Sequence, residues 1–151
     1  DGIYVTGSLG GSALGLENLR SGRPATQRHL YPAPRHRVGR AVAPKAHAMI
    51  DISDGLSSDL DHILQESRVS ARLFRDRIPA ANDATDDQIL HGGEEYELLI
   101  VAPTLPVDVD GIPLTRIGEI VPSSQDPQIF LIDGIQESVL VPRGYQHFLI
   151  S

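Results

Sequence analysis

Two carboxylates, those of Asp51 and Asp54, lie on either side of Ser53 in the middle of the chain. Carboxylates this close repel one another, so they are expected together only where a cation or hydrogen-bond donors offset their charge. Mg²⁺ suits them, because it binds hard oxygen ligands and usually takes one or two carboxylates together with substrate phosphates. The spacing therefore indicates a magnesium-dependent phosphate site. A structural alternative stays open, in which Asp51 ends a strand and Asp54 caps a helix.

The apolar residues around this motif predict the elements that position it. The apolar residues Ala48, Met49, Ile50 and Ile52, two of them β-branched, form a run too short for a helix, which indicates a strand. Apolar residues recur at helical spacing over residues 56–64, and Ser53 and Asp54 are good N-cap types for that helix. The carboxylates would then lie between the end of a strand and the start of a helix, where α/β proteins bind ligands.

A second acidic stretch, Gly92-Gly93-Glu94-Glu95-Tyr96-Glu97, precedes a predicted strand over residues 98–101. Three carboxylates in four residues fit poorly in a strand, so they predict a binding site at its entrance. The alternative is a solvated acidic turn, because charge runs are usually surface features.

Glycines are concentrated in residues 7–13, between a predicted strand over residues 3–6 and a predicted helix. A glycine-rich link in this position is typical of phosphate binding by backbone N–H groups. The loop lacks the Lys-Ser/Thr of a Walker motif and is not a G-x-G-x-x-G string. Phosphate contact and close helix packing therefore both stay open.

Composition excludes several classes of site and partner. The chain has no cysteine, which excludes disulfides, thiolate metal sites and cysteine nucleophiles. Its net charge of −7 argues against a nucleic-acid partner, which needs a basic face. No apolar stretch is long enough for a transmembrane helix, so a cytoplasmic protein without membrane contact is expected.

The remaining pattern predicts further helices and strands. Basic residues are concentrated over positions 20–45, where short helices are expected and a solvated helical surface is favoured over a phosphate contact. Strands are predicted over residues 69–74, 114–121 and 128–132, with a hairpin-like loop joining the last two. Thr85 is placed to begin a short helix that ends near residue 91.

Taken together, the motifs resemble the thiamine-monophosphate kinase family, specifically its carboxyl-terminal half. That family belongs to the superfamily of aminoimidazole ribonucleotide synthase. The matching strings occur in the family's order from one end of the chain to the other: Ile3-Tyr4-Val5-Thr6-Gly7, His29-Leu30-Tyr31-Pro32, Asp51-Ile52-Ser53-Asp54-Gly55-Leu56, Gly92-Gly93-Glu94-Glu95-Tyr96-Glu97-Leu98 and Gly144-Tyr145.

The resemblance implies a fold and an activity. The fold is α+β, a mixed β-sheet with packed helices, formed by residues 1–151 as one domain. The activity is transfer of the γ-phosphoryl group of ATP to thiamine monophosphate, which gives thiamine diphosphate. By the same resemblance, the amino-terminal domain that supplies most metal-binding aspartates would precede residue 1, the complete enzyme would be a homodimer, and this chain alone would be inactive.

The resemblance also implies roles for individual residues. Asp51 and Asp54 would bind Mg²⁺, and Ser53 would contact the nucleotide phosphates. The thiamine end would contact one of Glu94 and Glu95, with Tyr145 packed on the substrate. The usual family string has Asp where this chain has Glu95, which leaves open which of the two glutamates makes the contact.

Other functions stay open from the residues alone. One is a different ATP-dependent enzyme of the superfamily with another acceptor, and a second is a non-catalytic binding or assembly module. An aspartyl-nucleophile phosphatase is not favoured, because such enzymes need an Asp two residues after the nucleophile and this chain has Ser53 there.

Overall fold

A mixed sheet forms the centre of the molecule. The structure is a computed structural model that describes residues 1–123 and 125–144. The strands are β1 (Gly2–Thr6), β2 (Ala48–Asp51), β3 (Val69–Phe74), β4 (Leu98–Ala102), β5 (Asp108–Val109), β6 (Ile112–Pro122), β7 (Ile129–Asp133) and β8 (Gln136–Val139). The α-helices are α1 (Gly11–Arg20), α2 (Gln27–Leu30), α3 (His36–Val42), α4 (Leu56–Ser67) and α5 (Asp86–His91).

The strands are ordered β2-β4-β1-β6-β3-β7-β8, and β5 pairs with β6. Neighbouring strands are antiparallel except β3 and β7, which are parallel, so the sheet is mixed as expected. The α+β fold class is confirmed.

Helices cover both faces of the sheet at its centre. Because alternate side chains of a strand point to opposite faces, β1 contributes to a core on each side. Ile3 and Val5 of β1 join a core with buried leucines of α4 and residues of α5. Tyr4 joins a second core with Val38 and Val42 of α3. A strand covered on both sides has no polar face, which is why β1 is buried along its whole length.

The pairing of β2 with β4 positions the candidate site. The two strands are antiparallel, and Asp51 lies opposite Leu98. The chain that leaves β2 therefore runs beside the chain that enters β4. Residues 51–55, named here the aspartate segment, and residues 92–97, named the acidic segment, meet at this end of the sheet.

Two local predictions are wrong. The loop after β6 does not form a hairpin, because β3 lies between β6 and β7 in the sheet. The N-cap of α4 is Gly55, with φ of 119° and no side-chain cap, rather than Ser53 or Asp54. By contrast, Thr85 begins α5 with a full capping box, as its position predicts. Within the described residues, no helix is long and apolar enough to span a bilayer.

Candidate functional site

Backbone hydrogen bonds join the aspartate and acidic segments directly. The N–H of Glu94 donates to the carbonyl of Ser53 at 2.8 Å, and that of Tyr96 donates to Ile52 at 2.9 Å. In the other direction, the N–H of Ile52 donates to the carbonyl of Glu97 at 2.8 Å. The strand pairing of β2 and β4 thus continues into the two segments and fixes them side by side.

Side chains of the acidic segment alternate between solvent and interior. Glu94 and Tyr96 are exposed, whereas Glu95 and Glu97 are 1% and 0% exposed. Glu94 and Tyr96 also have left-handed backbone conformations, with φ of 59° and 53°, which non-glycine residues rarely adopt. Such conformations persist only where the surrounding structure holds them, and they are common at binding sites.

A cavity of about 590 Å³, named here the site cavity, opens between the two segments and the helices α1 and α2. Its polar lining residues are Ser12, Arg20, His29, Ser53, Asp54, Glu94 and Tyr96. Three residues predicted from the sequence, Ser53, Asp54 and Glu94, therefore share one cavity. Tyr96 and His29 are lining residues to which sequence reasoning assigned no role.

Asp51 lies at the carboxyl end of β2, exposed and outside the lining of the site cavity. Tyr145 lies outside the described residues. Its neighbour Gly144 is described and lies against the aspartate segment, since a Cβ built on it would be 2.5 Å from the carbonyl oxygen of Asp54. The chain therefore approaches Asp54 immediately before Tyr145.

Asp59 organises the aspartate segment from the first turn of α4. One carboxylate oxygen, Oδ2, accepts hydrogen bonds from the N–H groups of Ser53 and Asp54 at 3.0 Å and of Gly55 at 3.1 Å. The residue is 1% exposed, and its burial raises the pKa of the carboxyl group. Sequence reasoning assigned Asp59 no role, although an acidic residue three positions after Leu56 falls on the apolar stripe of the helix and could have signalled one.

Asp54 belongs to a group of three potential metal ligands with Asp59 and His62, whose ligand atoms lie within 4.8 Å of one another. Oδ2 of Asp59 already accepts three hydrogen bonds, and Mg²⁺ favours oxygen over imidazole ligands. The donor set therefore fits Mg²⁺ through the carboxylate of Asp54, completed by oxygens from outside the group.

Glu95 is buried and is not among the lining residues of the site cavity. Its Oε1 accepts a 2.8 Å hydrogen bond from the N–H of Ser12 in α1, while its buried Oε2 has no hydrogen-bond partner among the described residues. Burial raises the pKa of Glu95 to about 7, against the opposing effects of the Ser12 N–H and of Arg28. Of the two glutamates that the sequence left open, Glu94 is the one that lines the cavity.

Glu97 binds two arginines that were expected on a solvated surface. Its carboxylate accepts hydrogen bonds from Nε and Nη2 of Arg35, both at 2.7 Å, and also contacts Arg28. Thr6 of β1 donates to the same carboxylate. The expectation for these two arginines is wrong, because a buried carboxylate needs cationic and hydroxyl donors to offset its lost hydration.

Known proteins match this chain along almost all of its length. Residues 1–125 match the model of the family described as AIR synthase related protein, C-terminal domain. The thiamine-monophosphate kinase of Haemophilus influenzae is 37% identical over 173 residues, covering 98% of this chain and 52% of that protein. The thiamine-monophosphate kinase of Escherichia coli K12 is 36% identical over 173 residues, with the same coverage.

A solved structure, AaThiL complexed with AMPPCP and TMP, superposes with a TM-score of 0.80 at 30% identity. The alignment covers 98% of this chain and 51% of that chain. The chain thus spans about half the length of the curated relatives it matches. On the family match over residues 1–125 and the shared fold, the chain belongs to the family of the AIR synthase related protein, C-terminal domain.

Proposed function

We propose that residues 1–151 are the single carboxyl-terminal domain of a thiamine-monophosphate kinase. The complete enzyme would transfer the γ-phosphoryl group of ATP to a phosphate oxygen of thiamine monophosphate, releasing ADP and thiamine diphosphate. The observation that carries the proposal is the site cavity, where Ser53 and Asp54 lie with Glu94. Similarity to thiamine-monophosphate kinases over 98% of the chain supports the same assignment.

The charges of the site cavity suit a substrate with both signs of charge. Glu94 and Asp54 present carboxylates, while Arg20 and His29 lie on the α1 and α2 side. Thiamine monophosphate combines a cationic thiazolium ring with an anionic phosphate. Carboxylates favour the ring by Coulomb attraction, and the ring of Tyr96 offers a cation–π surface in addition to the contact predicted for Tyr145.

Phosphoryl transfer requires positioning and charge neutralisation more than covalent chemistry by the protein. Donor and acceptor are both anionic, and the chain itself is acidic, so Mg²⁺ would supply the positive charge between them. We assign Asp54 and Asp51 as its ligands from this chain. Ser53 is assigned to the nucleotide phosphates, in a segment that Asp59 holds through three N–H groups.

The remaining components of the enzyme would come from an amino-terminal half. That half would supply further metal ligands and part of the nucleotide site, and the complete enzyme would be a homodimer. Such a half is supported by the length of the relatives, since this chain covers 52% of each of the two kinases described above.

The test is an assay of a protein that carries this chain together with an amino-terminal half. With ATP, Mg²⁺ and thiamine monophosphate, equal amounts of ADP and thiamine diphosphate are expected, and the separate 151-residue chain should give no turnover. Activity only with other phosphate acceptors would assign the chain to another enzyme of the superfamily. Absence of ATP turnover with every acceptor would favour a non-catalytic module.

A further inference from the structure

Glu95 has a buried carboxyl group beside the site cavity that takes no part in the proposed reaction. It lies between Glu94 and Tyr96, the two residues of the acidic segment that line the site cavity. We propose that Glu95 is a positioning residue: its bond to the amide of Ser12 holds Glu94 and Tyr96 in the conformations that turn their side chains toward the cavity. This inference rests on the proposed function only for the identity of the substrate.

The flanking backbone needs such a restraint. Glu94 and Tyr96 both have left-handed conformations, which are unfavourable for residues with a Cβ. Their N–H groups are bonded to Ser53 and Ile52, which fixes the segment along one edge. Those two bonds hold the side of the segment that faces Ile52 and Ser53, and they do not reach its opposite side.

Glu95 attaches that opposite side to α1. Ser12 is the second residue of α1, where N–H groups have no partner within the helix, and the N-cap Gly10 supplies no side chain to bond them. A carboxylate at this position also interacts favourably with the helix dipole. The 2.8 Å bond therefore joins the acidic segment to a helix that lines the other wall of the site cavity.

The burial of Glu95 supports a positioning role for its contact with Ser12. A carboxyl group that is 1% exposed and leaves Oε2 without a partner among the described residues is costly to bury. The carboxylate of Glu97, two residues later, is also buried, but Arg28, Arg35 and Thr6 bond it and offset its lost hydration. The Oε1 atom of Glu95, by contrast, accepts its bond from Ser12, which belongs to a helix on the other side of the site cavity.

A matched pair of substitutions tests the inference in the 151-residue chain. Glu95→Met keeps the approximate volume of the side chain and removes the acceptor, whereas Glu95→Gln keeps an oxygen for the Ser12 amide. Amide hydrogen exchange measured by NMR reports local opening at Glu94 and Tyr96 directly, because both amides are hydrogen-bonded. Glu66→Met, on the exposed side of α4, controls for the chemical change.

We expect Glu95→Met to accelerate amide exchange at Glu94 and Tyr96 by at least about tenfold. Exchange of the β4 amides should accelerate by less than about twofold. Glu95→Gln and Glu66→Met should leave all of these amides within about threefold of the parent chain. Equal acceleration at β4 would overturn the inference, since it would reveal a general loss of stability. Unchanged exchange at Glu94 and Tyr96 would overturn it as well.

A kinetic measurement on the protein that carries both halves addresses the substrate. Glu95→Met should raise KM for thiamine monophosphate about tenfold and leave KM for ATP within about twofold. Equal changes in the two KM values would contradict a positioning role toward Glu94 and Tyr96. If the parent protein does not phosphorylate thiamine monophosphate, the proposed function fails, and the exchange measurement still decides the role of Glu95.

Discussion

The amide of Glu94 donates a 2.8 Å hydrogen bond to the carbonyl of Ser53. This bond joins the aspartate segment to the acidic segment, beyond the end of β2 and before the start of β4. Because backbone groups make it, side-chain substitution at either residue leaves the bond in place. Side-chain substitutions at Ser53 or Glu94 are therefore expected to change binding without separating the two segments.

Glu94→Gln tests the carboxylate assigned to the thiamine end. Replacing it with a neutral amide of the same shape should raise KM for thiamine monophosphate about tenfold, corresponding to about 1.4 kcal/mol, because the Coulomb attraction for the thiazolium is lost. KM for ATP should stay unchanged, and Glu66→Gln on the exposed side of α4 serves as the control. An unaltered KM for thiamine monophosphate would remove Glu94 from the substrate site.

Glu97→Gln tests the buried carboxylate that binds two arginines. The substitution leaves Arg28 and Arg35 without a counter-charge, so the free energy of unfolding in urea should fall by about 3 kcal/mol. Glu119→Gln is the matched control, because its pair with Arg116 is exposed and should contribute less than about 1 kcal/mol. Equal losses for the two variants would show that the buried contacts of Glu97 with its two arginines contribute no more to stability than an exposed ion pair.

Asp59→Ala tests the support of the aspartate segment. Three N–H groups lose their acceptor, so we expect the free energy of unfolding to fall by about 2 kcal/mol or more. Asp61→Ala is the control, because Asp61 lies on the same helix and among the described residues its carboxylate accepts one hydrogen bond, from Gln65; it should cost less than about 1 kcal/mol. Urea titrations of both variants make the comparison, and a loss at Asp59 no larger than at Asp61 would contradict its role.

The raised pKa of Glu95 predicts a pH-dependent stability. Its carboxyl group binds its proton more tightly in the folded state, where the pKa is about 7, than at its ordinary value of 4.5. Unfolding therefore releases a proton between these values, and stability falls as the pH rises through this window. Glu95→Gln cannot titrate, so its stability relative to the parent chain should rise by up to about 3 kcal/mol from about pH 4.5 to about pH 7.5. A constant difference in urea unfolding across this range would contradict the raised pKa.

Periodicity and capping residues predicted most of the secondary structure. The β3 range matches its prediction, and Thr85 begins α5 where its capping pattern indicated. The hairpin after β6 was wrong because strand order depends on long-range pairing: β3 inserts between β6 and β7, and local turn residues carry no information about that insertion.

The candidate site was predictable only as two segments. Spacing identified Asp54 and the acidic segment as a whole, whereas the roles of Ser53 and Glu94 came from the family resemblance. Tyr96 was noted only as part of a matching string. The acidic run resembles a solvated turn in composition, and its alternation between exposed and buried side chains arises from backbone conformations that only the fold reveals. Glu97 likewise required the fold, since its arginines lie far away in sequence.

The most direct test of the central claim is Asp54→Asn in a protein that carries this chain and an amino-terminal half. The amide preserves the shape of the side chain and removes the negative charge assigned to Mg²⁺ binding. Turnover of ATP and thiamine monophosphate should fall at least about a hundredfold, while the circular dichroism and urea midpoint stay those of the parent. Near-normal turnover by a folded Asp54→Asn protein would contradict the assignment of Asp54 to the kinase site.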